Sequence, residues 1–367
     1  MKRTNPFVPI YHEVNNGDNV EKYNKILQKN GSALPKYLDV ELTNLCNFNC
    51  RFCPTGTKAM NRMRGSMPDN VADAIAYNVK KYKITAVRFI RWGEPTLHKK
   101  YIEIMKKIKD AGALIHINTN GSLLDENQIK KLLDMHLDSI KFSFQGADEG
   151  TYNEMRKGGD YKKLLNTIHM FHDMRGNLEY PFIQISTTLT GETAEQIANF
   201  KRDVENYCDY YNVGYTQLNH LNVDTLKIDE KEKNKIRELQ NHEMLHHKYR
   251  LICAEAFDKL SINWNGDVTL CCSDYDNFMI VGNILDNDIK DIFNSNATKL
   301  YRDAIAKGQY GSIKCCSNCY ETVPTTKQSE ITAMTKLPIV HIFVYYGQFL
   351  LYTRFSCIRG CFSWQFP

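Results

Sequence analysis

Three cysteines crowd one short segment, Cys46-Asn-Phe-Asn-Cys50-Arg-Phe52-Cys53, with C-x3-C-x2-C spacing. Thiolates this close can serve only one metal centre. On a four-iron cube, three protein ligands leave one iron open, and an open iron can bind a substrate. A closed zinc site would want a fourth ligand nearby, whereas the next cysteine is Cys208. With 12 cysteines among 367 residues, chance produces this spacing about 0.013 times per chain, so accident is a poor explanation. A second set lies downstream: Cys253, twelve residues, Gly266, four residues and Cys271, then Cys316-Ser-Asn-Cys319. Four thiolates in two groups can close an iron–sulfur cluster or a zinc site, and spacing alone does not choose between them.

The elements that must position these groups alternate in type. Short apolar or β-branched runs at 37–43, 86–92, 114–119, 139–144, 182–189 and 213–218 read as strands. Helical periodicity fills 68–81, 99–111, 125–135, 161–174 and 194–207 between them. Such a succession belongs to the α/β class and implies a partial (βα)6 TIM-like barrel, with helices outside a parallel sheet. Chemistry in such barrels sits at the C-terminal ends of the strands, and Cys46 follows the first strand directly. The domains read as an extension at 1–36, the barrel at 37–228, a polar helical bridge at 229–250 and a small α+β region at 251–323. A tail at 324–367 has no assigned role. In the small region, 261–270 reads as a hairpin turning at Asn265-Gly266, which draws Cys253 and Cys271 together.

The triad, with Phe52 before its last cysteine, resembles the radical S-adenosylmethionine (SAM) superfamily. Gly93-Glu94-Pro95 resembles that family's GGEP segment, with Trp92 in place of the first glycine. The resemblance implies that backbone carbonyls there accept from the methionine ammonium, the glycine allowing close approach to the ligand. It assigns Asn120, in Asn118-Thr119-Asn120-Gly121, and Ser143 to strand ends that contact SAM. It further makes Arg156 the fork on the SAM carboxylate and Leu218 an apolar contact to adenine. The C-terminal set is similar to the auxiliary-cluster region called SPASM, in its shortened Twitch form. Cys253, Cys271, Cys316 and Cys319 keep the family spacing, which prefers Cys271 to Cys272 and Cys316 to Cys315. No cysteine follows until Cys357, so one auxiliary cluster is expected, and Cys357-x3-Cys361 has no assigned role.

The implied cofactors are a SAM-binding [4Fe-4S] cluster, SAM itself and a second, auxiliary [4Fe-4S] cluster. The implied activity is reductive cleavage of SAM to a 5′-deoxyadenosyl radical that abstracts hydrogen from substrate. An electron donor such as a flavodoxin or ferredoxin is the expected partner. Only 36 residues precede the first strand, too few for an independent leader-binding domain, and the C-terminal Gly-Gly of the molybdenum-cofactor cyclases is absent. The favoured reading is therefore oxidation or rearrangement of a small hydroxyl-rich molecule, a sugar or cyclitol. A peptide- or protein-modifying maturase is the enzymatic alternative. A non-catalytic zinc or iron–sulfur binding protein is the alternative of another class.

The remaining composition sets limits. A net charge of +5 spread along the chain gives no ground for a nucleic-acid or membrane partner. No run of about 18 apolar residues appears, and MKRTNPFVPIYHEV lacks the core of a secretory signal. A cytoplasmic location is expected, where grouped cysteines are metal ligands or catalytic thiols rather than disulfides. His246 and His247, on the polar bridge, read as solvated.

Overall fold

Alternation along each strand separates an apolar face from a polar one, and the sheet follows from that separation. The computed structural model describes residues 3–15, 19–189, 191–215, 218, 221–246, 253–317, 319, 344–345 and 348–349. Cys357, Cys361 and His247 lie outside the described residues, as does the side chain of His246. Six strands form: β1 (Tyr37–Val40), β2 (Ala86–Phe89), β3 (Leu114–Thr119), β4 (Ser139–Ser143), β5 (Phe182–Leu189) and β6 (Tyr210–Tyr215). They lie side by side in that order, every pair parallel. Leu38, Val87, Ile115, Ile140 and Ile183 are completely buried on one face, against Val71, Ile104, Ile129, Ile168 and Phe200 of the intervening helices. Those helices begin where the sequence supplies caps. Asp125, Asp148 and Asp160 each accept from a backbone N–H, and Thr193 forms a capping box with Gln196.

The chain departs from expectation in three places. The sixth strand starts at Tyr210 rather than 213, because the Tyr-Tyr-Asn-Val run pairs with β5 from Gln184 onward. Leu218 consequently lies beyond the strand. The extension before the barrel forms helices Val8–Asn15 and Asn19–Gln28. Phe7 is 1% exposed and packs with Tyr37 and Ala86 at the starts of β1 and β2, filling the N-terminal mouth of the barrel. Lastly, the C-terminal region continues the barrel sheet. Strand β7 (Lys259–Ile262) runs parallel to β1, and β8 (Asp267–Thr269) and β9 (Ile280–Asn283) follow antiparallel. The result, among the described residues, is a nine-stranded sheet in the order β9-β8-β7-β1-β2-β3-β4-β5-β6. The expected hairpin between β7 and β8 turns at Asn265-Gly266, where a φ of +90° suits glycine. No helix among the described residues is long and apolar enough to cross a membrane.

The polar face of β1 holds the junction. Asp39, completely buried, takes both Nε (2.7 Å) and a terminal nitrogen (2.9 Å) of Arg88 on β2. From the other side Lys259 on β7 reaches it at 2.7 Å and also pairs with Glu255 at 2.6 Å. Burial alone would raise the Asp39 carboxyl, but Arg88 and Lys259 outweigh it and hold the group well below the usual carboxylate range. The stability this supplies is present above the unfolded carboxylate pKa of about 3.9 and is lost as pH falls below it. Replacing one member of such a buried set strands its partners, at about 3–5 kcal/mol. Asp39→Asn is thus expected to lower urea stability at pH 7 by about that amount. Its deficit relative to wild type should shrink as the two are compared at falling pH below about 4.

Candidate active site

The three triad cysteines lie on the loop that leaves β1, with Cys50 buried and Cys46 and Cys53 half-buried. Backbone bonds define the loop. Asn49 and Cys50 form a short antiparallel ladder with Lys157 and Arg156, and Arg51 N–H donates to Met155 O at 3.0 Å. Cys53 O accepts from both the backbone N–H and the hydroxyl of Thr57, each at 2.8 Å. Phe48, 2% exposed, anchors the loop below. Burial pushes the Cys46 thiol up to about 12 and Cys50 up to about 11. The neighbouring triad thiols raise each further, since each would-be thiolate sits in the field of the others. Such a set gives up its protons to a metal centre whose positive charge reverses that balance. Among the described residues no three His, Cys, Asp or Glu side chains converge on a single-ion site. A cube gives each thiolate its own iron and needs no such convergence.

Arg156 is brought beside the triad by the same ladder. It is 9% exposed, its guanidinium lies 5.9 Å from the Phe52 ring centre, and its Nε has no hydrogen-bond partner among the described residues. A buried unpaired donor costs about 1–3 kcal/mol, so the position suits an anionic ligand. Ser143 ends β4, half-exposed and opposite Ser186 of β5. Leu218 is completely buried in an apolar group with Ala59, Met60 and Tyr275, against which Phe52 and Trp92 also pack.

The residues after β2 hold the loop in place. A Cβ on Gly93 would stand 1.9 Å from Thr43 O and 2.8 Å from Leu45 O, so the close approach there is to the cysteine loop's own backbone. Glu94, 3% exposed, accepts from Thr96 N (3.2 Å), the Thr96 and Thr119 hydroxyls (2.7 Å each) and Asn120 N (2.7 Å). Its carboxylate is therefore committed to joining the ends of β2 and β3. Pro95 starts a short 3-10 turn, Pro95–Leu97. The Asn120 side chain donates to Asn47 Oδ1 at 2.9 Å and accepts from Ser122, fixing the loop residue next to Cys46. Asn47 and Thr119 carry no sequence signal for this role, which only tertiary contact reveals.

The second cysteine set also gathers. The Cys253 thiol is raised by burial first and then by Glu255, Cys271 and Cys316. Cys316 is raised by burial and then by Cys271 and Cys319, so these four share one field. Cys272 instead points its thiol to Glu255 Oε2 at 3.2 Å, while Cys315 hydrogen-bonds Cys271. Arg91, which sequence reasoning missed, ties the two regions by donating to Cys271 O (3.2 Å) and Asp274 O (2.7 Å). Asp276 adds Asn61 Nδ2 (2.9 Å) and Arg62 N (2.8 Å) from the segment after Cys53.

Comparison with known proteins agrees with this layout. The family described as "Radical SAM superfamily" matches residues 40–204, and SPASM, an "Iron-sulfur cluster-binding domain", matches 253–320. A "Probable GTP 3',8-cyclase" of Methanocaldococcus jannaschii is 30% identical over 46% of this chain and 55% of its own. The matches span between 47% and 65% of the first curated relatives' lengths. Among solved structures, SuiB of Streptococcus suis bound to precursor peptide SuiA shares the fold at TM-score 0.60. It is 16% identical, with 85% of this chain and 76% of that one covered. BtrN in complex with AdoMet and 2-DOIA gives TM-score 0.50 at 16% identity, covering 78% and 94%.

The tight seat of Gly93 makes a prediction. Gly93→Ala should cost at least about 2 kcal/mol in thermal or urea unfolding. Gly311→Ala, whose Cβ would meet nothing within 4 Å, should stay within about 0.5 kcal/mol of wild type.

Proposed function

The chain belongs to the radical SAM superfamily and carries a SPASM iron–sulfur domain, and from that premise we propose that it is an enzyme oxidising or rearranging a small hydroxyl-rich molecule. The observation that carries the SAM chemistry is the buried Arg156 with its unpaired Nε, one ladder step from Cys50. When bound, a four-iron cube with one open iron gives an electron to SAM, yielding methionine and a 5′-deoxyadenosyl radical that takes a hydrogen atom from a C–H bond. Cys46, Cys50 and Cys53 hold that cube. Arg156 forks onto the SAM carboxylate, and backbone carbonyls of Gly93–Pro95 accept from its ammonium, since the Glu94 carboxylate is already committed. Ser143 hydrogen-bonds SAM, and Leu218 supplies an apolar wall for adenine.

Cys253, Cys271, Cys316 and Cys319 hold the auxiliary cluster. A secondary alcohol would give its C–H hydrogen atom to the 5′-deoxyadenosyl radical, forming deoxyadenosine, and its hydroxyl proton to solvent; a cluster held by these four thiolates would supply the acceptor for the remaining electron. The functional division follows: residues 37–228 cleave SAM, 251–323 carry the acceptor, and a flavodoxin- or ferredoxin-type donor reduces the first cluster. The hydroxyl-rich substrate is supported by the barrel's inward face. Asn118, Ser143, Gln184 and Ser186 are half-exposed there, and Asn212, in register with Ser186, is exposed. A peptide substrate is the second reading, favoured by the likeness to SuiB with its precursor peptide.

Anaerobically loaded full chain distinguishes these. Deoxyadenosine formation should vanish in the Cys46/Cys50/Cys53→Ala variant, which keeps the C-terminal iron. Arg156→Gln should weaken SAM binding by about ten-fold or more, read by equilibrium dialysis. Sugars or cyclitols should stimulate SAM cleavage in wild type. Stimulation by peptides alone would replace the sugar reading with the peptide one.

A further inference from the structure

The inward face of the barrel carries a lysine that forms no ion pair among the described residues. Lys141 lies on β4 between Ile140 and Phe142, both completely buried in the outer core, so its own side chain belongs to the interior. Its strand neighbours in register are Asn118 on β3 and Gln184 on β5, both neutral. The acidic groups around it are engaged elsewhere. Asp39 is held by Arg88 and Lys259, Glu255 by Lys259, and Glu41 by Arg62 at 2.7 Å. His116, facing the same interior from β3, is pushed down to about 3, by burial first and then by Lys141, and stays neutral. Among the described residues Lys141 has no ion pair, and it is largely buried with part of its surface still open.

We propose that Lys141 receives an anionic group of the substrate, a carboxylate or a phosphate, and holds it inside the barrel below SAM. The inference rests on the reading that this barrel binds a small hydroxyl-rich substrate, and it narrows that class to anionic members. Lys141 stands two residues below Ser143, about 6.6 Å along the strand, so an anion there leaves a hydroxyl-bearing carbon within reach of the strand ends. The surrounding Asn118, Gln184, Ser186 and Asn212 supply neutral donors and acceptors for hydroxyls and no competing charge. Burial, reinforced by Arg88, lowers the lysine to about 8, against the pull of Cys272 and Asp39. It remains protonated at pH 7, and an arriving anion relieves the cost of that burial.

The test uses the full chain loaded with iron and sulfide, with SAM saturating so that Arg156 is occupied. Wild type, Lys141→Met and Lys141→Arg are titrated by calorimetry with inorganic phosphate and, separately, acetate. Wild type should bind one equivalent of at least one anion, and the tighter of the two names the substrate's group. Lys141→Met should bind it at least about ten-fold more weakly, equivalent to about 1.4 kcal/mol. Lys141→Arg, keeping the charge, should stay close to wild type and shows that loss in Lys141→Met is not a folding defect. Anion binding by Lys141→Met at wild-type strength, or no anion binding by wild type, overturns the inference. SAM cleavage is followed in the same wild-type sample. Cleavage without an anion site removes Lys141 and leaves the SAM chemistry standing, whereas absent cleavage removes that chemistry while the titration still decides Lys141.

Discussion

A single buried carboxylate joins the two halves of this protein. Asp39 sits on β1, between β2 and β7, and is held from both sides by Arg88 and Lys259. Neither cation could be buried there alone, because an uncompensated charge in the interior costs several kcal/mol. The interaction therefore requires β2 of the barrel and β7 of the C-terminal region to flank the same strand. Since the triad loop leaves β1 and the second cysteine set flanks β7 and β8, with Cys253 before them and Cys271 after, the two cysteine groups are placed relative to each other by one shared strand.

Around that frame the strand ends are tied to one another rather than left as independent loops. Glu94 joins the ends of β2 and β3, Asn120 joins β3 to the cysteine loop, and the Cys50–Arg156 ladder joins that loop to the segment after β4. Arg91 and Asp276 then lock the same region to the C-terminal cysteines. Rigid positioning is what the proposed radical chemistry would need, since its outcome depends on which C–H bond lies nearest and on excluding other hydrogen donors. The polar interior, where Lys141 and Arg156 form no ion pair among the described residues, suits a ligand that is hydrogen-bonded rather than packed.

Much of this is legible in the residues, and the limits are physical. The triad, the strand runs and the Asn265-Gly266 turn are local patterns with periods of two or 3.6 residues, and they appear where expected. Strand β6 is shifted because pairing with β5, a contact remote in sequence, decides which part of an aromatic run becomes extended. The parallel pairing of β7 with β1 joins residues more than two hundred positions apart and has no local signature. Nor does the sequence reveal that the Glu94 carboxylate is turned to Thr119 and Asn120, or that Cys272 turns to Glu255 while Cys271 faces the other thiols. Lys141 looks like any strand lysine until its neighbours' pairings are known.

The most direct test of two metal centres set by one shared strand is diffraction from anaerobically loaded full-chain crystals, recorded on both sides of the iron absorption edge. The account predicts two separate iron centres. One should lie against Cys46, Cys50 and Cys53 with Arg156 beside it, and the other among Cys253, Cys271, Cys316 and Cys319. A single iron centre, or zinc at the C-terminal set, would contradict it.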